Sequence, residues 1–327
     1  MLSLLEKVTI YVHSMTYVLI SRVIALELAK PLRLLIEEHE LEAKEFLTKA
    51  LASIGLTSLR PIKSILLHTL IISIIDLKRW AWHLMTINYV IEEAWRLISH
   101  VGDMDEISLF IDENLLETAI EDTNKLLKLN DYERSDLVDT IRFFALFLKE
   151  IEKDVLYDFK KFSTILRDFV IDNLSKLIDE KVYAKKAKYF GKLLAIKRAT
   201  PYKVAQLALL CFPIMDMGIA DTYLYLLAKI LKVWSSANLA EFNCPMDPSV
   251  IRVGVRIGLF NRQFKTSRYG GYRYRIFQNI AKALFPNDPT KLYTLRYIGE
   301  VFCTPYKKKC DECWLFGICK YYLTSTG

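Results

Sequence analysis

Glycine and proline are scarce in this chain, with 11 glycines and 9 prolines among its 327 residues. Because these residues punctuate turns, their scarcity argues against a fold of many short strands and hairpins. No segment shows the sustained apolar–polar alternation of a strand, whereas long amphipathic runs are common. One run repeats apolar residues on a single helical face at Leu137, Ile141, Phe144, Leu148, Ile151 and Val155. The sequence therefore predicts an all-α fold.

Long hydrophobic runs are also missing. The most apolar stretch, residues 64–75, has twelve uncharged residues, and a membrane span needs about eighteen. Glu6 and Lys7 precede the first apolar run and no small-residue cleavage site follows, so no signal peptide is expected. We therefore expect a cytoplasmic protein with no membrane partner and with reduced thiols.

Glutamine is rare as well, with three residues, a composition typical of thermophilic proteins.

Cysteine is sparse along most of the chain and concentrated near its C-terminal end. We interpret Cys211 and Cys244 as buried small hydrophobes. Four more cysteines follow the pattern C-x6-C-x2-C-x5-C within seventeen residues, at Cys303, Cys310, Cys313 and Cys319. Four thiols this close cannot all form disulfides without strain. Soft sulfur ligands at this density select zinc or an iron–sulfur cluster.

The spacing of these cysteines bears on which metal they hold. Structural zinc is usually held by two short knuckles set well apart, and here Cys310 and Cys313 form one such knuckle alone. The other two cysteines stand six and five residues away, so the segment encircles something larger than one ion. A [4Fe-4S] cluster, with its roughly four irons, is therefore the predicted cofactor, and zinc is the alternative.

Positive charge is concentrated in residues 251–309. This segment contains thirteen Lys or Arg and two acids, for a net +11, whereas the whole chain carries +7. Several of the cations alternate with aromatic residues, an arrangement that suits phosphate neutralisation and base stacking. The alternative is a solvated loop whose tyrosines pack on the protein. The predicted contacts to nucleic acid are Arg252, Arg256, Arg262, Lys265, Arg268, Arg273, Arg275, Lys307, Lys308 and Lys309.

Asp247 stands at the start of a predicted helix. It precedes Pro248, which favours the first helical position, so Asp247 is expected to be the N-cap. Apolar residues then recur on one face as far as Gly258, where the helix is expected to end, at Val250, Val253 and Ile257. Arg252 and Arg256 are four residues apart and share another face.

The cysteine spacing, with Gly299 four residues before Cys303 and a basic insert in the first gap, resembles the iron–sulfur loop of helix-hairpin-helix DNA glycosylases of the endonuclease III type. The segment around Asp247 resembles the family's catalytic-aspartate segment. This resemblance implies a two-lobed helical core over residues 106–327, with the cluster loop at 303–319 and an added N-terminal helical region at 1–105. It also implies binding to double-stranded DNA and hence association with the nucleoid.

The family's hairpin is only partly matched. Phe212-Pro213 leads into a turn predicted to end at Gly218, which is the predicted phosphate contact there. The family pattern is Leu-Pro-Gly-Val-Gly followed by a lysine in lyase-competent members, and Ala220 or Thr222 stands at that lysine's place. Neither side chain can form a Schiff base, so base release by water without β-elimination is expected.

The resemblance therefore implies a monofunctional base-excision glycosylase that hydrolyses the N-glycosidic bond of a damaged or mismatched base. Asp247 would stabilise the positive charge that develops on the sugar. Two alternatives remain: a catalytically silent iron–sulfur DNA-binding relative, and a structural subunit of a larger nucleoprotein assembly. In the last case the N-terminal helices would bind a protein partner through a region rich in tryptophan, with Trp80, Trp82 and Trp95.

Overall fold

The computed structural model describes residues 22–56, 61–78, 129–177, 180–260 and 271–319. This part of the chain is mostly helical and contains no β-strand, as an all-α fold requires. The predicted boundary between residues 105 and 106 and the three N-terminal tryptophans lie outside these ranges and stay predictions.

The chain divides into two compact units. A continuous central unit comprises Leu47–Ala237, and a terminal unit combines Met1–Phe46 with Asn238–Gly327. Helix α1, Arg22–Ser53, contributes its residues up to Phe46 to the terminal unit and the remainder to the central one. The terminal unit is therefore assembled from two segments that are far apart in sequence.

Within its described residues, the central unit contains six further helices: α2 Ile62–Lys78, α3 Asp131–Glu150, α4 Phe159–Leu177, α5 Glu180–Ala195, α6 Pro201–Leu209 and α7 Met217–Tyr225. Helix α2 is apolar nearly all round and is buried from Ser64 to Ile75. Its buried hydroxyls stay satisfied within the helix, because Thr69 and Ser73 each donate to the carbonyl four residues earlier at 2.7 Å. A short π-helix, Leu226–Ile230, follows α7.

An aromatic cluster fills the centre of this unit. Trp234 is fully buried, its ring lies 4.7 Å from that of Phe162, and its indole N–H donates to the Leu156 carbonyl at 2.9 Å. Phe143 packs edge-on against Phe212 at 4.7 Å, which fixes α3 against the turn before α7. Buried aromatic pairs contribute about 0.5–1.5 kcal/mol beyond their area burial, so this cluster anchors the unit.

Helix α3 is shorter than the predicted amphipathic run. Leu137, Ile141, Phe144 and Leu148 are buried as expected. The helix ends at Glu150, however, and Val155 lies half-buried in a 3-10 turn, Lys153–Tyr157. That turn presents the Leu156 carbonyl to Trp234. A continuing helix would have kept this carbonyl in its own hydrogen-bond ladder.

The terminal unit contains the first part of α1 and helices α8 Pro248–Arg256, α9 Gly271–Leu284 and α10 Leu295–Val301, with a 3-10 helix at Pro289–Thr294. Asp247 is the N-cap of α8 as predicted, and Val250, Val253 and Ile257 are buried. Gly258 follows with a φ of 86°, a value that favours glycine and closes the helix. Helix α8 packs against α10, and α9 packs against the 3-10 helix.

None of the helices within the described ranges combines the length and the hydropathy that a membrane span requires.

Two helical glycines offer a matched test of packing. A Cβ on Gly254 in α8 would lie 2.3 Å from Cε2 of the buried Phe260, whereas a Cβ on Gly191 in α5 would meet nothing within 4 Å. We expect Gly254→Ala to lower the free energy of unfolding by about 1–3 kcal/mol through overpacking. Gly191→Ala should raise it by about 0.5–1 kcal/mol. Urea titrations of both variants check this, and equal shifts would contradict the close packing at Gly254.

Candidate metal centre and nucleic-acid interface

Residues 303–319, here called the cysteine loop, begin where α10 ends. The Cys303 N–H donates to the Ile298 carbonyl at 2.8 Å, and an isolated bridge joins Cys303 to Lys308. A 3-10 turn, Cys310–Glu312, then leads to Cys313, and another, Phe316–Ile318, leads to Cys319. Short turns therefore end at both of the later cysteines, and the backbone of the loop is held by its own hydrogen bonds.

The four loop cysteines are half-buried, and none forms a disulfide. Burial raises the pKa of Cys313 to about 11, and the charges of the other three thiolates add to the rise. Burial likewise raises the pKa of Cys310, with further contributions from Cys303 and Cys319. Negative charge on one loop thiolate therefore disfavours ionisation of Cys310 and Cys313. A bound cation or cationic cluster relieves such repulsion.

The donor set of the loop fits a thiolate-bound group. None of the four sulfurs is in a disulfide, and as soft ligands they suit iron–sulfur clusters and zinc. Across the described ranges, no three metal-ligating side chains are arranged around one point in a way that could hold a single ion. Cys211 and Cys244 take no part in the loop, since both are fully buried as the sequence predicted.

Two arginines of α8 are directed at the first cysteine of the loop. Arg252 donates through Nε to the Cys303 carbonyl at 3.0 Å and through Nη2 to the Gly299 carbonyl at 2.9 Å. Arg256 donates through Nη1 to the Cys303 carbonyl at 3.1 Å and approaches its Sγ at 2.8 Å. Hydrogen bonds to charged groups are about twice as strong as neutral ones. The two guanidinium groups therefore fix Cys303 in place.

Arg252 and Arg256 were expected to contact nucleic acid, which stays a prediction, and the structure places both against the cysteine loop. Both are half-buried, and each donates hydrogen bonds inside the terminal unit. Burial lowers the pKa of Arg252, and the nearby carboxylates of Asp247 and Glu300 oppose that shift. The shared face that the sequence indicated is real, but it faces the cysteine loop.

Gly299 permits the close approach of α10 to α8. A Cβ at this position would lie 2.7 Å from the Ser249 Cβ and 3.2 Å from Arg252 Nη2. Contacts below 3 Å require the backbones to move apart, which would draw Arg252 away from Cys303. The glycine four residues before the first cysteine therefore has a steric role in the site.

Asp247 lies buried at the N-terminus of α8, with a side chain that is 8% exposed. Its Oδ1 accepts from the Ser249 N–H at 2.6 Å and from the Val250 N–H at 3.3 Å. Its Oδ2 lies 3.5 Å from Nη1 of Arg296, which is similarly buried and also donates to the Tyr293 hydroxyl. The helix N-terminus and Arg296 both favour the ionised carboxylate.

The segment before Asp247 is positioned by α9. The Gln278 side chain accepts from the Cys244 N–H and donates to the Cys244 carbonyl, both at 2.8 Å. Asn243 donates to the Tyr274 hydroxyl at 2.6 Å. Tyr274 is itself buried. The hydrogen bonds of Gln278 to Cys244 were not predicted, because no sequence motif indicates that a side chain will pair with a distant peptide group.

Aromatic stacking connects α1 to the cysteine loop. Trp314, which follows Cys313, stacks on His39 at 3.9 Å between ring centroids and on Tyr297 of α10 at 4.9 Å. Phe46 of α1 packs edge-on against Tyr297 at 5.2 Å. Lys291 pairs with Glu40 of α1 at 3.5 Å. The contact of His39 was not predicted, since a lone histidine on an amphipathic helix carries no signal of a distant tryptophan.

The remaining predicted nucleic-acid contacts differ in exposure. Lys307, Lys308 and Lys309 are exposed on the cysteine loop, and Lys309 lies 3.7 Å from Glu312. Arg275 of α9 is exposed, whereas Arg273 is half-buried and burial lowers its pKa. The other three lie outside the described residues and stay predictions: Arg262, Lys265 and Arg268.

The predicted hairpin corresponds to α6, a turn and α7. The turn ends at Asp216, the N-cap of α7, so Gly218 is the second residue of the helix rather than the end of the turn. The Asp216 carboxylate accepts from the Ile219 N–H at 2.9 Å. Because this exposed acid occupies the helix N-terminus, it opposes the phosphate contact predicted at Gly218. Ala220 and Thr222 are buried within α7.

No family model, curated protein or solved structure matches the chain. The resemblance to the glycosylases therefore depends on the residues of the chain itself.

Replacing Arg256 tests the contact with Cys303. We expect Arg256→Met to lower the free energy of unfolding by about 1.5–3 kcal/mol, because a charged hydrogen-bond donor is removed. The exposed Lys307 on the same loop provides the control, since Lys307→Met should change this energy by less than about 0.5 kcal/mol. Urea titrations under anaerobic conditions measure both. If the two variants prove equally stable, Arg256 does not hold the loop.

Proposed function

We propose that this chain is an iron–sulfur protein of the helix-hairpin-helix glycosylase type, which binds duplex DNA and releases a base by hydrolysis. The proposal is carried by one observation. Helix α8 begins at the buried carboxylate of Asp247 and presents Arg252 and Arg256 to Cys303, so a single short helix joins the aspartate to the cysteine loop.

In this proposal Cys303, Cys310, Cys313 and Cys319 hold a [4Fe-4S] cluster. When bound, the cluster cross-links four points of the loop through metal–thiolate bonds. Arg256 places a positive charge beside the Cys303 sulfur, which offsets the thiolate charge. The loop in turn holds Lys307 and Lys308 at the surface, where lysines can neutralise backbone phosphates.

Asp247 is the proposed catalytic carboxylate. Breaking the bond between the base and C1′ leaves positive charge on the sugar, and a nearby fixed anion stabilises that charge. Water then forms the new bond to C1′, and the departing base takes up a proton. Arg296 and the helix N-terminus keep the carboxylate ionised and fixed before substrate arrives. Neither Ala220 nor Thr222 offers an amine, so the proposal includes no β-elimination.

The second candidate is a catalytically silent DNA-binding relative. It is favoured by the way that both oxygens of Asp247 are occupied, one by the helix N-terminus and the other by Arg296. A carboxylate with this environment also serves as a purely structural cap. The degenerate hairpin, with Asp216 at the start of α7, also favours the catalytically silent relative.

Replacing Asp247 separates the two candidates. Asn retains the capping oxygen but carries no charge, so we expect Asp247→Asn to reduce base release by about 100- to 1000-fold. The substrates are duplexes that contain an oxidised purine, a damaged pyrimidine, uracil or a mismatched adenine, with base release and strand scission measured separately. Wild-type protein should release a base from at least one of them without scission. Equal release by wild type and variant would remove Asp247 from the chemistry.

A matched control addresses the ion pair that this substitution also breaks. Removing one partner of a buried pair costs about 3–5 kcal/mol, whichever partner is removed. Arg296→Met breaks the same pair but retains the carboxylate, so it should lose stability like Asp247→Asn while keeping more of the base release. Equal reduction of base release in both variants would assign the effect to folding.

Chemical analysis tests the cluster directly. We expect anaerobically purified protein to contain about four irons and four sulfides per chain. Replacing Cys313 by Ser should lower the bound iron and the visible absorbance, whereas replacing the fully buried Cys211 by Ser should leave both unchanged. One zinc per chain with no sulfide would refute the iron–sulfur assignment.

A further inference from the structure

The cysteine loop carries a tyrosine at the tip of a well-defined turn. Tyr306 is 71% exposed and lies between Cys303 and Cys310. The turn is closed by Thr304, whose Oγ1 accepts from the Lys307 N–H at 2.9 Å and donates to the Lys307 carbonyl. The Lys309 N–H bonds to the Phe302 carbonyl at 2.8 Å. The backbone beneath Tyr306 is therefore fixed.

The surroundings of Tyr306 distinguish it from other exposed tyrosines. Tyr132 is 77% exposed, but it lies in the first turn of α3 beside Asp131 and Glu133. Tyr306 is followed directly by three exposed lysines, and Phe316 of the same loop is 40% exposed. Exposed rings next to cations are the combination that binds single-stranded nucleic acid, where cations track phosphates and rings stack on bases.

A ring at this position adds little to binding of a fully paired duplex. Lysines neutralise phosphates without help from an aromatic neighbour, and paired bases are already stacked on each other. The face of a base becomes available when the base is unpaired, as in a bulge, a single strand or an extruded nucleotide. A tyrosine has only two side-chain torsions, so its ring loses little conformational entropy when it stacks on such a base.

We propose that Tyr306 stacks on an unpaired DNA base, so that the cysteine loop prefers DNA with an exposed base to fully paired duplex. This inference rests on the proposed DNA binding and adds a preference for the state of the DNA. It does not depend on catalysis by Asp247. The lysines supply affinity that is common to all DNA. The ring makes binding to DNA with an exposed base tighter than binding to paired duplex.

Binding to three fluorescently labelled probes of equal length tests the inference: a fully paired duplex, a duplex with a one-nucleotide bulge, and a single strand. We expect Tyr306→Ala to weaken binding to the bulged duplex and the single strand by about tenfold, the typical value of one base–ring stack. Binding to the paired duplex should change by less than about twofold, because its bases offer the ring no free face. Tyr306→Phe should bind all three probes like wild type, because the ring is retained.

Three further measurements make the result interpretable. Tyr132→Ala is the matched control and should leave all affinities unchanged, and visible absorbance should show equal cluster content in every variant. The double variant Lys307→Met/Lys308→Met should weaken binding to all probes and reduce the slope of log affinity against log salt by about one for each phosphate that is no longer neutralised. Tyr306→Ala should leave that slope unchanged, because stacking releases no counterions.

The possible failures separate the inference from the function beneath it. If Tyr306→Ala matches wild type, or weakens all three probes equally, the stacking role is overturned while DNA binding stands. If Tyr306→Phe behaves like Tyr306→Ala, the hydroxyl and not the ring makes the contact, which also overturns it. If wild-type protein binds none of the probes at low salt, the proposed DNA binding itself is wrong.

Discussion

The terminal unit depends on the two charged side chains that α8 directs at Cys303. Arg252 and Arg256 together make hydrogen bonds to the carbonyl of that residue, and Arg256 also reaches its sulfur. The position of the first loop cysteine is thereby tied to α8, and through the N-cap of α8 to Asp247. Gly299 makes this possible, because any larger residue would push α10 away from Arg252. Substitution of Arg252, Arg256 or Gly299 should therefore shift Cys303 and α8, and with α8 its N-cap Asp247.

Local patterns in the sequence predicted the helical class and, in detail, a few of the helices. Asp247-Pro248 and the apolar spacing that follows predict α8 almost to the residue, because capping and amphipathicity act over a few neighbouring positions. The overextension of α3 shows the limit of such patterns: its end is set by Trp234, which needs the Leu156 carbonyl as an acceptor. Trp234 is 78 positions from Leu156 in sequence, so the apolar periodicity of residues 137–155 contains no information about this hydrogen bond.

In the candidate site, too, features set by neighbouring residues were predicted and features set by long-range contacts were not. Cysteine spacing singled out residues 303–319, because four cysteines on a short segment form a pattern that is visible in sequence alone. The direction of the arginines was not predictable, because a basic pair on one helical face is compatible with phosphates, carbonyls or thiolates as partners. Gln278, Arg296 and His39 were missed for a related reason: each acts through one long-range contact that no spacing reveals. No pattern in the sequence indicates which base the proposed glycosylase would release.

The stack of His39 on Trp314 has a consequence for how the protein is made. The central unit is continuous in sequence, so it can fold as soon as it leaves the ribosome. The first part of α1 must wait for its partner, which is synthesised only after the whole central unit. Trp314 is the ring that His39 stacks on, so this contact between the first described helix and the cysteine loop can form only after the loop has been translated.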